Sequence, residues 1–478
     1  MPRTPMMTEQ QPTIRQKLAS YLAQLPQPTV LKLASGLERE RLRGTAGLPY
    51  EMILSGLRPL LASFTGKRPG APDAVRQFCR PFEDLLVDVD DEGVRQGRIS
   101  RASVMRVWAW LEDDLMPDAL PDLKKRIADH TLKGDDIALR AAVAVMHASA
   151  AAAIRAAIEE ARQDAAKRKQ AEKRLGGESG FEDAREIASV LSVAPAMLQL
   201  QAELPKRIDD FGDEMVGILK DTYEELSDAS ATDALYLPFA VMARLKEPSQ
   251  ILRFVRKVAH QRNDMIISRC DLSVFGEHLL ADMEQIAGRA EALRPGHADL
   301  DVLLGDVRRF AHLSKGFAAE IDLRRNGEWG QRLLAARARL SAAISQEMSR
   351  FETELVRAFP FYQFGQYGRG GPMRPDLAKA PDPARIERVM ACLRFVNGVM
   401  PISEPLGAQS HCRSIRQQID AYLASYEDRL LEEMRVARGT ARSNAQEFLE
   451  AAAGLHETIG ENAQAEILRR RGQVAARG

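Results

Sequence analysis

An apolar stripe between Glu328 and Phe359 is the feature that most constrains the fold of this chain. Apolar residues recur there at steps of three or four, and seven such steps cover 26 residues, an average of about 3.7 residues a step. A left-handed coiled coil would need about 3.5, so this period indicates a helix packed in a globular bundle. The sequence predicts a helix over 328–358 with one buried face. The stripe consists of Leu333, Ala336, Leu340, Ile344, Met348, Phe351 and Leu355, and the seventh step ends at Phe359.

The composition favours helices throughout the chain. Apolar residues make up 45% of the 478 residues and aromatic residues only 6%. The apolar share leans on alanine and leucine, which are strong helix formers. Basic and acidic residues balance at 67 each, so no global field directs the protein to nucleic acid or anionic lipid. We predict an all-α, multi-helix protein with a smaller N-terminal helical domain and a larger C-terminal antiparallel helical bundle.

Proline, glycine and charge patterns predict the domain organisation. We expect residues 1–12 to be disordered, 13–175 to form the N-terminal domain, 176–183 to be a hinge and 184–478 to form the C-terminal bundle. The N-terminal domain should end in a long helix from Ile137 to Leu175, whose basic second half we expect to project into solvent. The helices predicted further along the chain are 182–203, 206–228, 232–246, 249–293, 298–326, 328–358, 383–399, 410–438 and 441–472.

Cysteine usage and hydropathy predict a soluble, cytoplasmic protein. The four cysteines are widely scattered, without the dense spacing of a disulfide framework. The first eleven residues contain no apolar run and do not read as a signal peptide or anchor. The best membrane candidate, the alanine-rich run from Ala141 to Ile158, is interrupted by polar residues below the roughly 20 apolar residues that a span needs.

We expect residues 359–382 to form a loop, which differs in composition from the rest of the chain because its first nine residues include five aromatics and glycines follow. One interpretation is a docking element for a protein partner, in which aromatic side chains are the anchors and arginines form the rim. The other is a cap, in which the aromatics fold back onto the bundle. Both interpretations stay open. The docking residues would be Phe361, Tyr362, Phe364, Tyr367, Arg369 and Arg374.

Two basic segments support an alternative, binding to an anionic surface such as nucleic acid or a membrane. One is a stripe at helical spacing beside an apolar face, and the other is the basic end of the predicted long helix. Solvated or internally paired basic faces would have the same patterns. The candidate residues are Arg253, Arg256 and Lys257 in the first segment, and Lys167, Arg168 and Lys169 in the second.

No arrangement of residues predicts a catalytic centre, a metal site or a cofactor. His260 with Asp264, and His278 with Asp282, stand at i, i+4 spacing, which we interpret as surface ion pairs. The acidic turn at 88–93 resembles a calcium loop, but its twelfth position is Ile99 instead of a bidentate glutamate. The adjacent His411 and Cys412 lack an orienting third group and are interpreted as structural.

The sequence therefore favours a non-enzymatic scaffold or adaptor that binds protein partners. The alternative is the anionic-surface protein, and a second alternative is a helical enzyme that uses His260, His278 or the tyrosines and arginines of the 359–382 stretch. No motif identifies a family, and neither the partner nor the oligomeric state follows from the residues.

Overall fold

The computed structural model describes residues 74–88, 94–133, 135–294, 298–363 and 373–477, together with scattered positions between 21 and 57. Helices dominate these residues, and the protein belongs to the all-α class, as predicted. Two short strand pairs interrupt the helices. The predicted disorder of residues 1–12 and the acidic turn at 89–93 lie outside the described residues.

Contacts divide the chain into two compact units. The first comprises Met1–Phe78 and Asp118–Val145, and the second comprises Cys79–Pro117 and Met146–Gly478. In the first unit, Leu22, Val30, Leu37 and Leu57 form a buried apolar cluster. The residues predicted to be a hinge, 176–183, lie within the second unit. Their action as a hinge, and the predicted domain division there, stay predictions.

The elements follow in chain order. Helix α1 is Ala74–Cys79, a 3₁₀ helix is Arg80–Leu85, and the parallel strands are β1 Leu86–Val87 and β2 Ile99–Ser100. Then come α2 Arg101–Trp110, a π-helical turn Leu111–Leu115, α3 Ala119–Lys133, α4 Asp136–Gln163, α5 Ala165–Leu175, α6 Glu178–Ser192, α7 Ala194–Glu203, α8 Asp213–Ala234, α9 Tyr236–Arg244, α10 Ile251–Ala259, α11 Asp264–Ile267 and α12 Ser273–Ala292.

The remaining elements contain the aromatic stretch. They are α13 Leu300–Glu320, α14 Glu328–Met348, α15 Phe351–Ala358, β3 Phe361–Gln363, β4 Met373–Pro375, α16 Pro383–Val399, α17 Ser403–Leu406, α18 Gln409–Val436, α19 Thr440–Thr458 and α20 Asn462–Ala475. Short 3₁₀ turns at Pro248–Gln250 and Met400–Ile402 precede α10 and α17.

The predicted apolar stripe is buried along its whole length, from Leu333 to Leu355. The single helix predicted over 328–358 is instead α14 and α15, separated by Ser349 and Arg350. The backbone of both separating residues stays in the right-handed helical region, so the break barely changes the direction of the stripe. The period of 3.7 therefore predicted the buried face correctly and missed the break.

The helix predicted from Ile137 to Leu175 is broken at Asp164. The backbone of Asp164 is extended, and its carboxylate accepts hydrogen bonds from the main-chain N–H groups of Ala166 and Lys167, so it caps a new helix. Residues 162–170 are exposed, as expected for a projecting end. The last turn of α5 is different, because Ala171 and Leu175 are buried. The prediction of one unbroken projecting helix is therefore wrong.

The helix predicted over 249–293 is three helices. His260 ends α10 in the left-handed conformation, with φ 51°, and Asn263 caps α11 with its side chain. His260 and Asp264 consequently do not share a helical face, and the ion pair predicted between them is wrong. The Asp264 carboxylate is buried and accepts the Arg324 N–H at 3.2 Å.

A tryptophan at the contact between α12 and α14 shows how closely these two helices pack. Trp329 is fully buried, and its ring lies so near Gly276 that a Cβ there would come within 2.4 Å of it. The indole N–H donates to Glu277 at 2.6 Å, which satisfies the polar atom of the buried ring. Glycine at 276 therefore allows the core of the second unit to close around Trp329.

Candidate functional site

The aromatic stretch forms an antiparallel hairpin in which β3 pairs with β4. Phe361 lies opposite Pro375, Tyr362 opposite Arg374, and Gln363 opposite Met373. The aromatic residues of β3 have high strand propensity, and period 2 places Phe361 and Tyr362 on opposite faces. The hairpin corrects the expectation of an irregular loop over 359–382. Phe364, Tyr367 and Arg369, which were predicted to contact a partner, lie outside the described residues.

Aromatic contacts fix the base of the hairpin to α18 and α19. Phe359 is fully buried, with its ring centroid 5.2 Å from that of Tyr426 and 6.1 Å from that of Phe448. Phe361 is half-buried, and its centroid lies 5.5 Å from Tyr422 and 5.1 Å from Tyr426. Such tilted and edge-on pairs stabilise beyond their buried area. Phe359 and Phe361 therefore cap the bundle, as the second interpretation expected.

Polar contacts from α18 hold the main chain of the hairpin. The Tyr422 hydroxyl donates to the Phe359 carbonyl oxygen at 2.6 Å. The guanidinium of Arg429 donates to the Met373 carbonyl oxygen and also lies over the Phe361 ring, 5.7 Å from its centroid. Each of these contacts ties a hairpin residue to a single face of α18.

An ion pair between Arg374 and Glu433 adds a fourth residue to the face of α18 that holds the hairpin. Arg374, predicted as a free rim charge, lies 3.3 Å from Glu433 and forms an ion pair with it. The contacting residues of α18 follow one another at i, i+4, i+7 and i+11, the spacing of one helical face. Sequence reasoning missed this face, although two tyrosines, an arginine and a glutamate at that spacing on a predicted helix are a readable signal. They are Tyr422, Tyr426, Arg429 and Glu433.

Each face of the hairpin exposes an apolar group. Tyr362 is 40% exposed and Met373 is 43% exposed, although both belong to residue types that usually pack inside or at interfaces. Tyr362 keeps the outward position that the docking interpretation expected. Phe361 does not, because its ring faces α18. We call these exposed groups, Tyr362 on one face of the hairpin and Met373 on the other, the hairpin surface.

The basic stripe of α10 is paired with carboxylates. Arg253 contacts Glu320 at 3.0 Å and Asp210 at 3.1 Å. Arg256 shares Glu320 at 3.4 Å, and Lys257 lies 3.8 Å from Asp213. The hydrogen bond to Glu320 raises the pKa of Arg253, which keeps the guanidinium charged and paired.

The basic residues of α5 lie on an exposed helix with local partners. Lys167 contacts Glu160 at 2.8 Å, and Arg168 contacts Glu172 at 2.8 Å. Lys169 is exposed. Pairs of this kind between exposed residues are worth little energetically, so they would open readily to another anion. Binding of an anionic surface by these residues stays a prediction.

His278 and Asp282 are buried, so their interpretation as a surface ion pair is wrong. Asp282 instead accepts hydrogen bonds from Arg98 at 2.8 Å and from Arg309 at 3.1 Å. The imidazole hydrogen-bonds the main chain of Gln96. Burial and, to a lesser extent, the nearby Arg98 lower the pKa of His278 to about 4, against the opposing effects of Asp282 and the Gln96 main chain. His278 is therefore neutral at physiological pH.

The partners of His278 belong to a short polar turn, residues 95–98, which lies against α6, α9 and α12. The Gly97 N–H donates to the buried Glu186 carboxylate at 2.9 Å, and Arg95 lies 3.4 Å from Asp183. Burial raises the pKa of Glu186, although the hydrogen bonds from Gly97 and the Tyr236 hydroxyl oppose this effect. The turn is thus packed against buried carboxylates.

Two of the cysteines, Cys392 and Cys412, are buried thiols. Cys392 lines a cavity of about 260 Å³ between the start of α13, the α14–α15 break and α16. Burial, together with Glu354 and Glu347, raises the pKa of this thiol to about 12, so it is protonated at neutral pH. Cys412 is buried with its Sγ 3.9 Å from Met348 Sδ, and burial raises its pKa as well.

The described residues contain no group of three or more His, Cys, Asp or Glu side chains arranged to hold a metal ion. The Nε2 atom of His411 is buried without a hydrogen-bond partner in the part of the chain that the structure describes. Its neighbour Cys412 points to Met348 instead of pairing with an imidazole. His411 and Cys412 therefore do not form a nucleophile–base pair.

Helix α4 is long and apolar enough to cross a membrane, judged by length and composition alone. Its most apolar window has a mean hydropathy of 1.7, and 39% of that window is buried within the protein. Core helices of soluble proteins have the same properties, so the helix does not indicate a membrane location.

The geometry of the hairpin surface is therefore the main guide to function. The chain matches no protein-family profile, no curated protein and no solved structure.

Proposed function

We propose that this protein is a non-enzymatic helical scaffold that binds a protein partner through the hairpin surface. The observation that carries the proposal is the combination of a fixed base and exposed apolar groups. Phe359 and Phe361 anchor the hairpin to α18 and α19, while Tyr362 and Met373 stay 40% and 43% exposed. Tyrosine and methionine are enriched in the cores of protein interfaces.

Rigidity at the base would favour binding. Ordering a mobile segment on association costs free energy, so a surface that is already held in one conformation retains more of its contact energy as affinity. The contacts of Tyr422 and Arg429 with the hairpin main chain restrict its position before any partner arrives. Tyr362 is then presented as a rigid anchor of the kind that dominates binding energy in alanine scans.

The two alternatives have less support from the described residues. The best anion-binding candidates, Arg253 and Arg256, already share Glu320. For an enzyme, His278 is buried and neutral beneath the polar turn. The exposed His260 lies at a helix end away from any cluster suited to a metal among the described residues. The positions of His278 and His260 therefore do not favour an enzyme over a protein that binds a partner.

A matched pair of double variants tests the proposal. Tyr362→Ala with Met373→Ser removes the exposed groups of the hairpin surface. Met265→Ser with Val302→Ser removes groups of comparable or greater exposure, 40% and 63%, at other places on the same unit. Proteins captured by the immobilised wild type would be identified by mass spectrometry, purified and titrated against each variant.

We expect the hairpin variant to weaken binding of the purified partner by at least tenfold, and the control variant to change it by less than twofold. Circular dichroism and thermal melting should be the same for all three proteins, since every substituted side chain is exposed. Equal affinities for the two variants would remove the hairpin surface from the proposed function.

A further inference from the structure

The hydrogen-bond pattern of the hairpin determines which main-chain groups face outward. In an antiparallel pair, opposite residues alternate between those that exchange two hydrogen bonds and those that exchange none. Pro375 has no N–H, and the Asp376 N–H donates to the Pro360 carbonyl oxygen at 2.8 Å. Phe361 and Pro375 are therefore a non-hydrogen-bonded pair, and Tyr362 exchanges hydrogen bonds with Arg374. The N–H and C=O groups of Phe361 and Gln363 consequently point away from β4.

The two edges of the hairpin have different surroundings. β4 lies along α18, where the Met373 carbonyl oxygen accepts from Arg429 and Pro375 is buried. β3 is the outer strand. On its outer edge, the main-chain groups of Phe361 and Gln363 have no hydrogen-bond partner within the described ranges. That edge offers two N–H donors and two C=O acceptors in the strand conformation.

We propose that an extended segment of the partner protein adds to the outer edge of β3 as a third strand. The proposal rests on the hairpin surface being the partner-binding site and specifies the partner's chemistry. Strand addition supplies affinity through main-chain hydrogen bonds and specificity through alternate side chains. Tyr362 meets the partner on one face of the enlarged sheet, and Met373 beside Gln363 meets it on the other.

The segment has a definable composition. The partner residue beside Tyr362 is aromatic or β-branched, because such cross-strand pairs stabilise sheets. The two partner residues that bond Phe361 and Gln363 cannot be proline, since each supplies an N–H.

A second copy of this chain fits the edge less well than a peptide segment. Pairing of two three-residue strands buries far less than the roughly 1,200–2,000 Å² of a stable interface. A partner that continues beyond the three paired residues can add contacts on both sides of the hairpin.

The test uses the full chain and a displayed library of random eight-residue peptides selected on the wild type. Gln363→Pro removes the outward N–H and places a ring on the edge, while the hydrogen bonds between β3 and β4 stay intact because they do not use this N–H. Gln363→Thr keeps the N–H and a strand-forming side chain. We expect selected peptides to bind Gln363→Pro at least tenfold more weakly than wild type, and Gln363→Thr within about twofold of wild type.

A second measurement does not depend on the folding of a variant. Selected peptides with single N-methylated amides should lose binding to the wild type at alternate positions only, because alternate N–H groups face β3. Uniform tolerance of N-methylation, equal binding by the proline and threonine variants, or no selected peptide would each overturn strand addition.

The same variants separate the two proposals. Partner binding that depends on Tyr362 and Met373 but not on Gln363→Pro retains the proposed function and refutes the third strand. Sedimentation of the wild type tests the other occupant: a dimer that Gln363→Pro dissociates would assign the edge to a second copy and overturn the partner assignment.

Discussion

Two short non-helical segments of the second unit are held against helices by opposite kinds of contact. The hairpin rests on aromatic rings, with Phe361 against Tyr422 and Tyr426. The polar turn at 95–98 instead places one main-chain N–H and two guanidinium groups on buried carboxylates. The hairpin is held mainly by contacts between apolar rings and keeps exposed apolar groups. The polar turn is held by contacts with buried charged groups.

The difference has a physical consequence for function. Buried charges are strongly destabilising once a partner is lost, so the polar turn has little freedom to move or be substituted. Contacts between aromatic rings leave no unpaired charge when they are altered, and the rings do not titrate at physiological pH. A segment that must present a constant surface over a range of conditions is therefore better held as the hairpin is, and a segment that defines the packing of α6 and α12 is better held as the polar turn is.

The largest expected effect is at Gly97. Its φ of +77° disfavours side chains, and a Cβ would lie 2.5 Å from the Phe239 ring. Gly97→Ala should destabilise the protein by about 3–4 kcal/mol, from the left-handed backbone and the overpacked ring together. The control is Gly460→Ala, at the end of a helix where φ is +82° and the space is open, with an expected cost of about 1 kcal/mol. Urea unfolding of both variants measures the contrast, and equal costs would contradict the close contact with Phe239.

The next effect is the pH dependence of the polar turn. The pKa of His278 is lowered to about 4 in the folded chain, so between pH 6.5 and pH 4 the unfolded state binds the proton and the folded state does not. Stability supplied by this group is present above about pH 6.5 and falls by about 3 kcal/mol as the pH drops to 4. Glu186, with its raised pKa, acts in the opposite direction.

Comparison with His278→Gln isolates the histidine from Glu186. Unfolding free energies of both proteins, measured at half-unit steps from pH 7.5 to 4, should converge as the pH falls, because only the wild type loses this contribution. A constant difference between the two proteins would show that His278 does not titrate in this window. Hydrogen exchange at Asp376 in the hairpin should be independent of the substitution.

A smaller effect is expected for the anchor of the hairpin. Phe361→Ala removes a half-buried ring from the contacts with Tyr422 and Tyr426, at a cost of about 2 kcal/mol to local stability, less than for a fully buried phenylalanine. Exchange of the Asp376 amide, which bonds Pro360, should accelerate about 30-fold. Tyr362→Ala, on the exposed face, should change that rate by less than threefold, and similar acceleration in both variants would contradict the division between inner and outer faces.

The smallest effect separates two tyrosines of α18. The Tyr422 hydroxyl donates to Phe359 at 2.6 Å, so Tyr422→Phe should cost about 1 kcal/mol. The Tyr426 hydroxyl is buried without a hydrogen-bond partner in the described part of the chain, so Tyr426→Phe should be neutral or stabilising by up to about 1 kcal/mol. Thermal unfolding of the two variants gives the sign, and a destabilised Tyr426→Phe would reveal a partner for that hydroxyl.

Local pattern predicted the buried faces of the helices better than their ends. The stripe from Leu333 to Leu355 is buried as its period indicated. The breaks at Asp164 and His260 were missed, because each depends on a single residue that leaves the helical conformation. Asp164 is a strong cap residue and could have been recognised; the left-handed conformation of His260 has no clear sequence signal.

The sequence indicated the unusual composition of the candidate site but not the contacts that position its residues. The aromatic richness of the 359–382 stretch marked the segment that contains the hairpin, and Tyr362 is exposed there. The anchors on α18 lie some sixty residues further along the chain, so no local pattern connects them with Phe361. His278 shows the converse case, since its i, i+4 spacing to Asp282 suits a surface pair as well as a buried one.

The sequence by itself determined the helical class, the faces of the helices that are buried and the unusual character of the aromatic stretch, because these follow from periodicity and composition over neighbouring residues. Only the tertiary structure decided that Phe361 packs inward while Tyr362 faces outward, that β4 is the strand along α18, and that the polar turn covers His278. The reason is that spacing along the chain sets which side chains share a face, whereas the element that covers that face arrives from a distant part of the chain.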